Sequence, residues 1–177
     1  ERVHSGGAKF DYNKAKWFNL EWIRKSEVES LRSEVRKILH EKGISVIDDQ
    51  VLEKVIGLVK DRCTLLTDFY DQSYFFFKAP EQFDVAAVKP KWDETKKLFF
   101  AELTRNYELN NDWNAATLEK NFKEITAANQ IKPGDVLLPF RVILVGGKSG
   151  PGVFDIAGIL GKEETIRRIH KGIAAFN

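Results

Sequence analysis

Apolar residues recur three and four positions apart along most of this chain, and this spacing predicts amphipathic α-helices. The first half contains three such segments: residues 13–24, a segment from Ser26 to Gly43, and residues 49–62. Ser26 and Glu29 have the spacing of a capping box, and Gly43 suits the C-terminal stop of the same helix. Asp48 or Asp49 is the expected N-cap of the third helix.

The region that follows is less regular. Residues 64–70 are expected to form a short helix, and the aromatic run 74–77 is expected to be an extended connector buried in the core. Pro90 breaks the helical pattern most clearly, and we predict a subdomain boundary around it, near residues 88–91. The two expected helical subdomains are residues 1–88 and residues 89–177.

The second half is helical again. Its predicted helices are residues 91–105, residues 112–129, a short helix opened by Pro133 and Gly134, a helix from Pro151 to near Gly161, and a final helix after it. The final helix is expected to turn isoleucines inward and basic residues outward: Ile166, Ile169 and Ile173, and Arg167, Arg168 and Lys171. The sequence has no alternating strand pattern of useful length and no internal repeat. The expected fold class is all-α, with two helical subdomains.

Composition and charge narrow the classes of function. The chain has 177 residues, 43% of them hydrophobic, and a net charge of only +2, so nucleic-acid binding would have to rest on local clusters of Lys and Arg. The single cysteine, Cys63, excludes an internal disulfide and fits a reducing compartment, and we expect the cytoplasm. No apolar run approaches the roughly 18 residues of a membrane span, and no membrane partner is expected. The chain begins at Glu1 and has no methionine, which predicts a longer parent protein.

A phosphate-binding loop is the first enzymatic alternative. The triplet of Gly147, Lys148 and Ser149 resembles the end of such a loop. The motif needs a glycine where Val142 stands, and no clear strand-then-helix unit surrounds it. The three histidines have no second ligand at metal spacing, and no nucleophile lies in a recognisable signature. The sequence therefore predicts no catalytic, cofactor or metal site in this chain.

Three groups of short motifs are more informative together than singly. They are Phe10-Asp11, Trp17, Asn19, Ile23 and Arg24 near the start, Asp61-Arg62-Cys63 through Phe69 in the middle, and Lys132-Pro133-Gly134, Pro139-Phe140-Arg141 and Gly161-Lys162-Glu163 near the end. In this order and spacing they resemble the C-terminal anticodon-binding region of bacterial-type glutamyl-tRNA synthetases, a family of class I aminoacyl-tRNA synthetases. The resemblance covers nearly the whole chain.

The resemblance implies an all-helical cage that holds the unstacked anticodon bases of glutamate tRNA. It also implies a parent that ligates glutamate to its tRNA with ATP and Mg²⁺, in a catalytic domain whose two ATP-binding signatures are absent from this chain. This chain alone would then be inactive, and its partners would be the tRNA and the catalytic domain of its own parent. Phe10, Trp17, Asn19 and Trp22 would dock the helix that leads from one part to the other.

The resemblance also assigns site residues. Arg141 matches the family's arginine that contacts the first two anticodon bases. Arg62 matches an arginine that reads the third base and accompanies the rejection of glutamine tRNA. Gly150 and Val153 match a loop that touches the anticodon, although Val153 stands where leucine is often found.

Two lysines are candidate phosphate contacts. Lys9 and Lys148 would hold the RNA backbone without reading its sequence. Two purely structural roles stay open, with Arg141 as an ordinary surface arginine and Arg62 as a complement to a helix C-terminus. A different function also stays open, a helical protein-interaction scaffold without an RNA role, because mixed charge and amphipathic helices allow it equally well.

Overall fold

The computed structural model describes residues 11–176, which form ten α-helices and two 3-10 helices and contain no β-strand. The α-helices are α1 (Tyr12–Lys25), α2 (Val28–Glu41), α3 (Asp49–Val59), α4 (Asp68–Phe77), α5 (Val85–Val88), α6 (Glu94–Leu109), α7 (Ala115–Ala128), α8 (Pro133–Val145), α9 (Val153–Leu160) and α10 (Lys162–Phe176). The 3-10 helices are Lys60–Arg62 and Lys89–Lys91. The predicted all-α class is confirmed. Every helix among these residues is too short or too polar to span a lipid bilayer.

Side-chain caps explain where some helices begin. Asp48 accepts hydrogen bonds from the backbone N–H groups of Gln50 and Val51, at 2.8 and 3.2 Å, and so confirms one of the two caps predicted for α3. The capping box predicted at Ser26 is wrong. The hydroxyl of Ser26 donates to the carbonyl oxygen of Trp22 at 2.7 Å, so it satisfies the end of α1 rather than the start of α2.

The aromatic run 74–77 is helical and not extended as predicted. It forms the second half of α4, which packs against α2, α3 and α9. Phe69, Phe75 and Phe76 are at most 8% exposed. Because several helices cover α4, its second half lacks the polar face that reveals a surface helix in the sequence.

The helix α8 carries much of the core. It was predicted to be short, yet it has 13 residues, seven of them buried, and it contains Pro139 in its interior. Its neighbours are α5, α9 and α10. Burial of so many apolar side chains offsets the loss of the backbone hydrogen bond that a proline cannot donate. The next helix, α9, begins at Val153 rather than at the predicted Pro151.

Arg168 is buried, which corrects its predicted place on a solvated face. The side chain is 2% exposed, and it donates from Nε to Glu164 at 2.6 Å and from Nη1 to the carbonyl oxygen of Leu144. The hydroxyl of Tyr74 donates to the next carbonyl, that of Val145. The last carbonyl groups of a helix lack donors within the helix, so α10 and α4 supply them for α8.

The other residues of α10 face inward or outward as predicted. Arg167 and Lys171 are exposed, Ile169 is buried, and Ile166 and Ile173 are half-buried. The apolar face that results packs against α6, α8 and α9.

The helices pack in two groups, and α9 contacts both. The helices α2, α3 and α4 contact one another, and α6 to α10 form the second group. The helix α9 also contacts α3 and α4, while α5 contacts α8 and α10. The division predicted near residues 88–91 falls at the 3-10 helix Lys89–Lys91, and as a subdomain boundary it stays a prediction.

Candidate functional site

Arg141 is a charged residue in an otherwise apolar stretch of α8. Its neighbours Phe140 and Val142 are fully buried, whereas Arg141 is half-buried. Its guanidinium reaches the loop after α8, where Nη1 donates to the carbonyl oxygen of Pro151 at 2.5 Å. This hydrogen bond fixes the direction of the side chain across the turn between α8 and α9.

Arg62 ends the 3-10 helix that follows α3, and its side chain is exposed. The next residue, Cys63, is fully buried and donates from Sγ to the carbonyl oxygen of Val59 at 3.4 Å. Burial, with a smaller effect of a nearby carboxylate, raises the pKa of the Cys63 thiol to about 12, so this thiol anchors the chain and is not a nucleophile. Arg62 itself donates from Nε to Oε1 of Gln72 on α4, at 3.1 Å.

The two arginines come close enough to interact electrostatically. Burial lowers the pKa of the Arg141 guanidinium, and the positive charge of Arg62 lowers it further, although an arginine stays charged at neutral pH. Within residues 11–176 neither guanidinium forms an ion pair, and the hydrogen-bond acceptors of both, Gln72 and Pro151, are neutral. Two like charges with neutral partners favour a ligand that brings acceptor oxygens or nitrogens to them.

Gly150 and Val153 lie at the end of the loop that Arg141 reaches. A Cβ added to Gly150 would lie 3.2 Å from Nη1 of Arg141 and 3.8 Å from Cζ of Phe75. Val153 is 4% exposed in the first turn of α9. The structure therefore brings Gly150 together with Arg141, whereas contact of Val153 with a base stays a prediction.

Of the two candidate phosphate contacts, the structure describes Lys148. Lys148 is exposed, and its Nζ lies 3.7 Å from Oδ2 of Asp84. Its loop joins α8 to α9, so the strand that a phosphate-binding loop requires does not precede it. Lys9 and Phe10 lie outside the described residues.

The entry helix α1 agrees with its prediction in part. Asn19 docks it as expected, since Nδ2 donates to the carbonyl oxygen of Thr64 at 2.9 Å. Trp17 and Trp22 were expected to dock as well, but they are 56% and 52% exposed. Ile23 is the one buried residue of α1.

Gln72 is the residue near Arg62 that the sequence did not reveal. The predicted short helix ended at residue 70, so nothing related Gln72 to Arg62. Had the helix been continued to Phe77, Gln72 and Phe75 would have been three residues apart on the same face of it. This spacing was the signal in the sequence that could have shown where Gln72 points.

A comparison with protein families decides what this fold is. The family model described as the anticodon binding domain matches residues 20–173. The chain belongs to the anticodon binding domain family. This match confirms the anticodon-binding part of the resemblance found in its motifs.

Individual relatives of this anticodon binding domain are glutamate–tRNA ligases. It is 41% identical over 174 residues to the ligase of Flavobacterium johnsoniae and 35% identical over 173 residues to that of Porphyromonas gingivalis. Each match covers 98% of the chain and 34% of the ligase. The anticodon binding domain thus corresponds to the C-terminal anticodon-binding region of such ligases and spans about a third of their length.

Solved structures agree with this assignment. The glutamate–tRNA ligase from Elizabethkingia meningosepticum, solved in complex with its amino acid, matches with a TM-score of 0.89 and 36% identity, over 99% of this chain and 34% of that one. The glutamate–tRNA synthetase from Elizabethkingia anophelis matches with a TM-score of 0.79 and 35% identity, over 97% of this chain and 33% of that one.

Proposed function

We propose that this chain recognises the anticodon of glutamate tRNA for a glutamate–tRNA ligase. The observation that carries the proposal is the approach of Arg62 to Arg141, two guanidiniums whose described acceptors are neutral. Proteins that read RNA sequence act on unstacked bases, whose edges carry acceptors that suit a planar guanidinium. Two such groups, near enough for the charge of one to lower the pKa of the other, suit adjacent bases of an anticodon.

The two arginines have different roles in this proposal. Arg141 contacts the first two anticodon bases, and Arg62 reads the third. Gln72 engages Nε of Arg62, which leaves the two terminal nitrogens for a base. Pro151 engages Nη1 of Arg141 and holds that guanidinium at the loop. Gly150 keeps the approach open, and Val153 contacts the anticodon from the same loop.

Phosphate contacts and catalysis belong to groups other than the base-reading arginines. Lys9 and Lys148 hold phosphates of the anticodon loop without reading its sequence. Glutamate is ligated to tRNA with ATP and Mg²⁺ by the catalytic domain of a longer parent in the cytoplasm, and this chain alone does not aminoacylate. In the part of the chain that the structure describes, no group of three or more His, Cys, Asp or Glu residues is placed to hold a metal ion.

The test measures binding of the 177-residue chain to glutamate tRNA and to the same tRNA with a swapped anticodon, at two salt concentrations. We expect tighter binding to the native anticodon. We also expect the affinity for both to fall as salt rises, because phosphate contacts release counterions.

Two outcomes would contradict the proposal. Binding that is salt-sensitive but ignores the anticodon would leave only generic electrostatic attraction. If neither the chain nor a full-length ligase that carries it distinguished the anticodons, the protein-interaction scaffold would be the better description.

A further inference from the structure

One turn of the helix α4 lies near both arginines of the candidate site. Gln72 accepts a hydrogen bond from Nε of Arg62 at 3.1 Å. Phe75 lies close to the loop that holds Arg141, because a Cβ on Gly150 would be 3.8 Å from Cζ of Phe75 and 3.2 Å from Nη1 of Arg141. Residues three positions apart in a helix lie on the same face, so Gln72 and Phe75 act from one side of α4.

The start of α4 is attached to the segment that follows Arg62. Asp68, the first residue of α4, accepts hydrogen bonds at Oδ2 from the backbone N–H groups of Thr64 and Leu65, at 2.8 Å each. Between Arg62 and this attachment stands only Cys63, which is fully buried. Hydrogen bonds to a carboxylate are stronger than those between neutral groups, so the backbone next to Arg62 is held against α4.

The second half of α4 is attached to the end of the helix that carries Arg141. The hydroxyl of Tyr74 donates to the carbonyl oxygen of Val145, the last residue of α8, at 3.3 Å. A helical segment of about 9 Å, at 1.5 Å per residue, separates Tyr74 from Asp68. Helices hold side chains more precisely than loops do, so this segment fixes the distance between its two attachments.

The two arginines need such support. The positive charge of Arg62 lowers the pKa of the Arg141 guanidinium, which shows that the two groups interact unfavourably. Like charges repel, so the guanidiniums stay together without a ligand only if other groups hold each of them.

We propose that α4 sets the spacing of the two base-reading arginines, with Gln72 as the positioning residue of Arg62 and Phe75 as the positioning residue of Arg141. The inference rests on the proposed function, because this spacing matters only if both guanidiniums meet bases of one anticodon. Gln72 acts by its hydrogen bond, and Phe75 acts by packing.

Phe75 reaches Arg141 through the loop after α8. Its ring is 2% exposed, and its tip lies beside Gly150. The next residue of the loop, Pro151, provides the carbonyl oxygen that accepts from Nη1 of Arg141. A smaller side chain at position 75 would let this part of the loop settle inward and would move the acceptor of Arg141 with it.

The experiment measures how Phe75→Leu changes anticodon discrimination in the full-length ligase that carries this chain. The kcat/KM for aminoacylation is compared between glutamate tRNA and three variants of it, changed at the first, second or third anticodon base. Phe76→Leu is the matched control, because Phe76 is the next residue, is also buried at 8% exposed, and points about 100° away around the helix. Urea unfolding of both variants establishes that each is folded under the assay conditions.

We expect Phe75→Leu to reduce discrimination at the first two bases about 2- to 10-fold, as for one weakened hydrogen bond, and to leave the third base unaffected. Gln72→Leu should give the opposite pattern, with the loss confined to the third base. Phe76→Leu should keep all three ratios at the wild-type values, because a general loss of stability lowers every kcat/KM together.

Tyr74→Phe tests the same inference without leaving a cavity in the core. It keeps the ring and removes only the hydroxyl that reaches Val145 at the end of α8. Discrimination at the first two bases should again be the part that falls. Tyr70→Phe, one turn earlier on the same side of α4, is its control and should leave discrimination unchanged.

Two results would overturn the proposal and leave the proposed function intact. One is wild-type discrimination at every base in both Phe75→Leu and Tyr74→Phe. The other is the same pattern of loss in Phe75→Leu and Phe76→Leu, which would reduce the role of Phe75 to general packing. A wild-type ligase that does not distinguish the anticodon variants would overturn the proposed function as well, so the two failures can be told apart.

Discussion

Gly150 lies directly against the guanidinium of Arg141. A Cβ on Gly150 would meet Nη1 of Arg141 at 3.2 Å, and the φ of +155° at Gly150 is one that residues with a side chain rarely adopt. Because Gly150 has no side chain, the loop after α8 leaves room for the side chain of Arg141. The carbonyl of Pro151 then provides an acceptor for that side chain.

Gly150→Ala should displace the side chain of Arg141 and weaken tRNA binding about tenfold, which corresponds to about 1.4 kcal/mol. The strained backbone should also cost about 1–3 kcal/mol of folding stability. Gly134→Ala is the control, because a Cβ there meets nothing within 4 Å. Fluorescence anisotropy gives the Kd and urea unfolding gives the stability. A wild-type Kd for Gly150→Ala would show that this glycine does not shape the path of Arg141.

Arg141→Ala should weaken binding of glutamate tRNA by about 1–3 kcal/mol, on the order of 5- to 150-fold in Kd, because a good base contact is lost. Arg141→Lys should recover little, since an ammonium group lacks the planar fork of donors. The matched control is Arg105→Ala, which removes an exposed arginine from α6. The Kd is measured by titration at constant salt, and unchanged binding with an intact fold would remove Arg141 from the site.

Arg62 and Gln72 should act together on the third anticodon base. Arg62→Gln in the full-length ligase should blur discrimination between glutamate and glutamine tRNAs. Gln72→Leu should do the same more weakly, because Arg62 loses the acceptor that orients Nε. A hydrogen bond of this kind contributes about 0.5–1.5 kcal/mol, so the ratio of the two charging efficiencies should change about 2- to 10-fold.

The control for that series is Arg105→Gln, which makes the same change at an exposed arginine of α6 and should leave discrimination intact. The measurement is kcat/KM for aminoacylation of each tRNA. If Arg62→Gln left the ratio of the two values unaltered, the assignment of Arg62 to the third base would fail.

Arg168→Met should destabilise the fold by about 1–3 kcal/mol, because the carbonyl of Leu144 loses its donor in a buried setting. Arg167→Met is the matched control on the same helix. Arg167 also pairs with Glu164 but is exposed, so its loss should change stability by no more than about 0.5 kcal/mol. Equal urea midpoints for the two variants would contradict a special role of Arg168.

Acid should weaken the ion pairs of Glu164. Burial by itself would raise the pKa of this carboxyl, but hydrogen bonds from Arg167 and Arg168 outweigh burial and leave the pKa below its ordinary value. A carboxyl with a lowered pKa in the folded state stabilises the protein above about pH 4.3, the ordinary value for glutamate. That stabilisation is lost as the pH falls through the folded-state pKa.

Glu164→Gln should therefore lose less stability than the wild type between about pH 5 and pH 3. Urea unfolding at several pH values checks this difference. Parallel losses in the two proteins would show that Glu164 contributes nothing to acid sensitivity.

The sequence pattern predicted helices best where one side of a helix meets water. The helix α3 has buried and exposed faces, so its apolar period and its cap at Asp48 were readable. The helix α4 was misread after residue 70, because neighbouring helices cover it and its aromatic run carries no period. Ser26 was misread because its hydroxyl could serve either of two adjoining helix ends.

The residues of the candidate site were likewise predicted only in part from the sequence. Arg62 and Arg141 were identified through short motifs, which depend on local sequence. Gln72 was missed, because its contact with Arg62 depends on α4 being helical. Arg168 was expected in solvent, because two adjacent arginines in a helix resemble a solvated face, and only the packed end of α8 shows otherwise.

The sequence by itself determined the all-α class, the positions of most helices and the family, because periodicity, caps and motif order are local properties. The tertiary structure decided that Arg62 approaches Arg141, that Arg168 is buried, and that the aromatic side of α1 is left open. Each of these depends on how helices from distant parts of the chain pack, and side-chain packing sets burial and electrostatic contact only after the chain has folded.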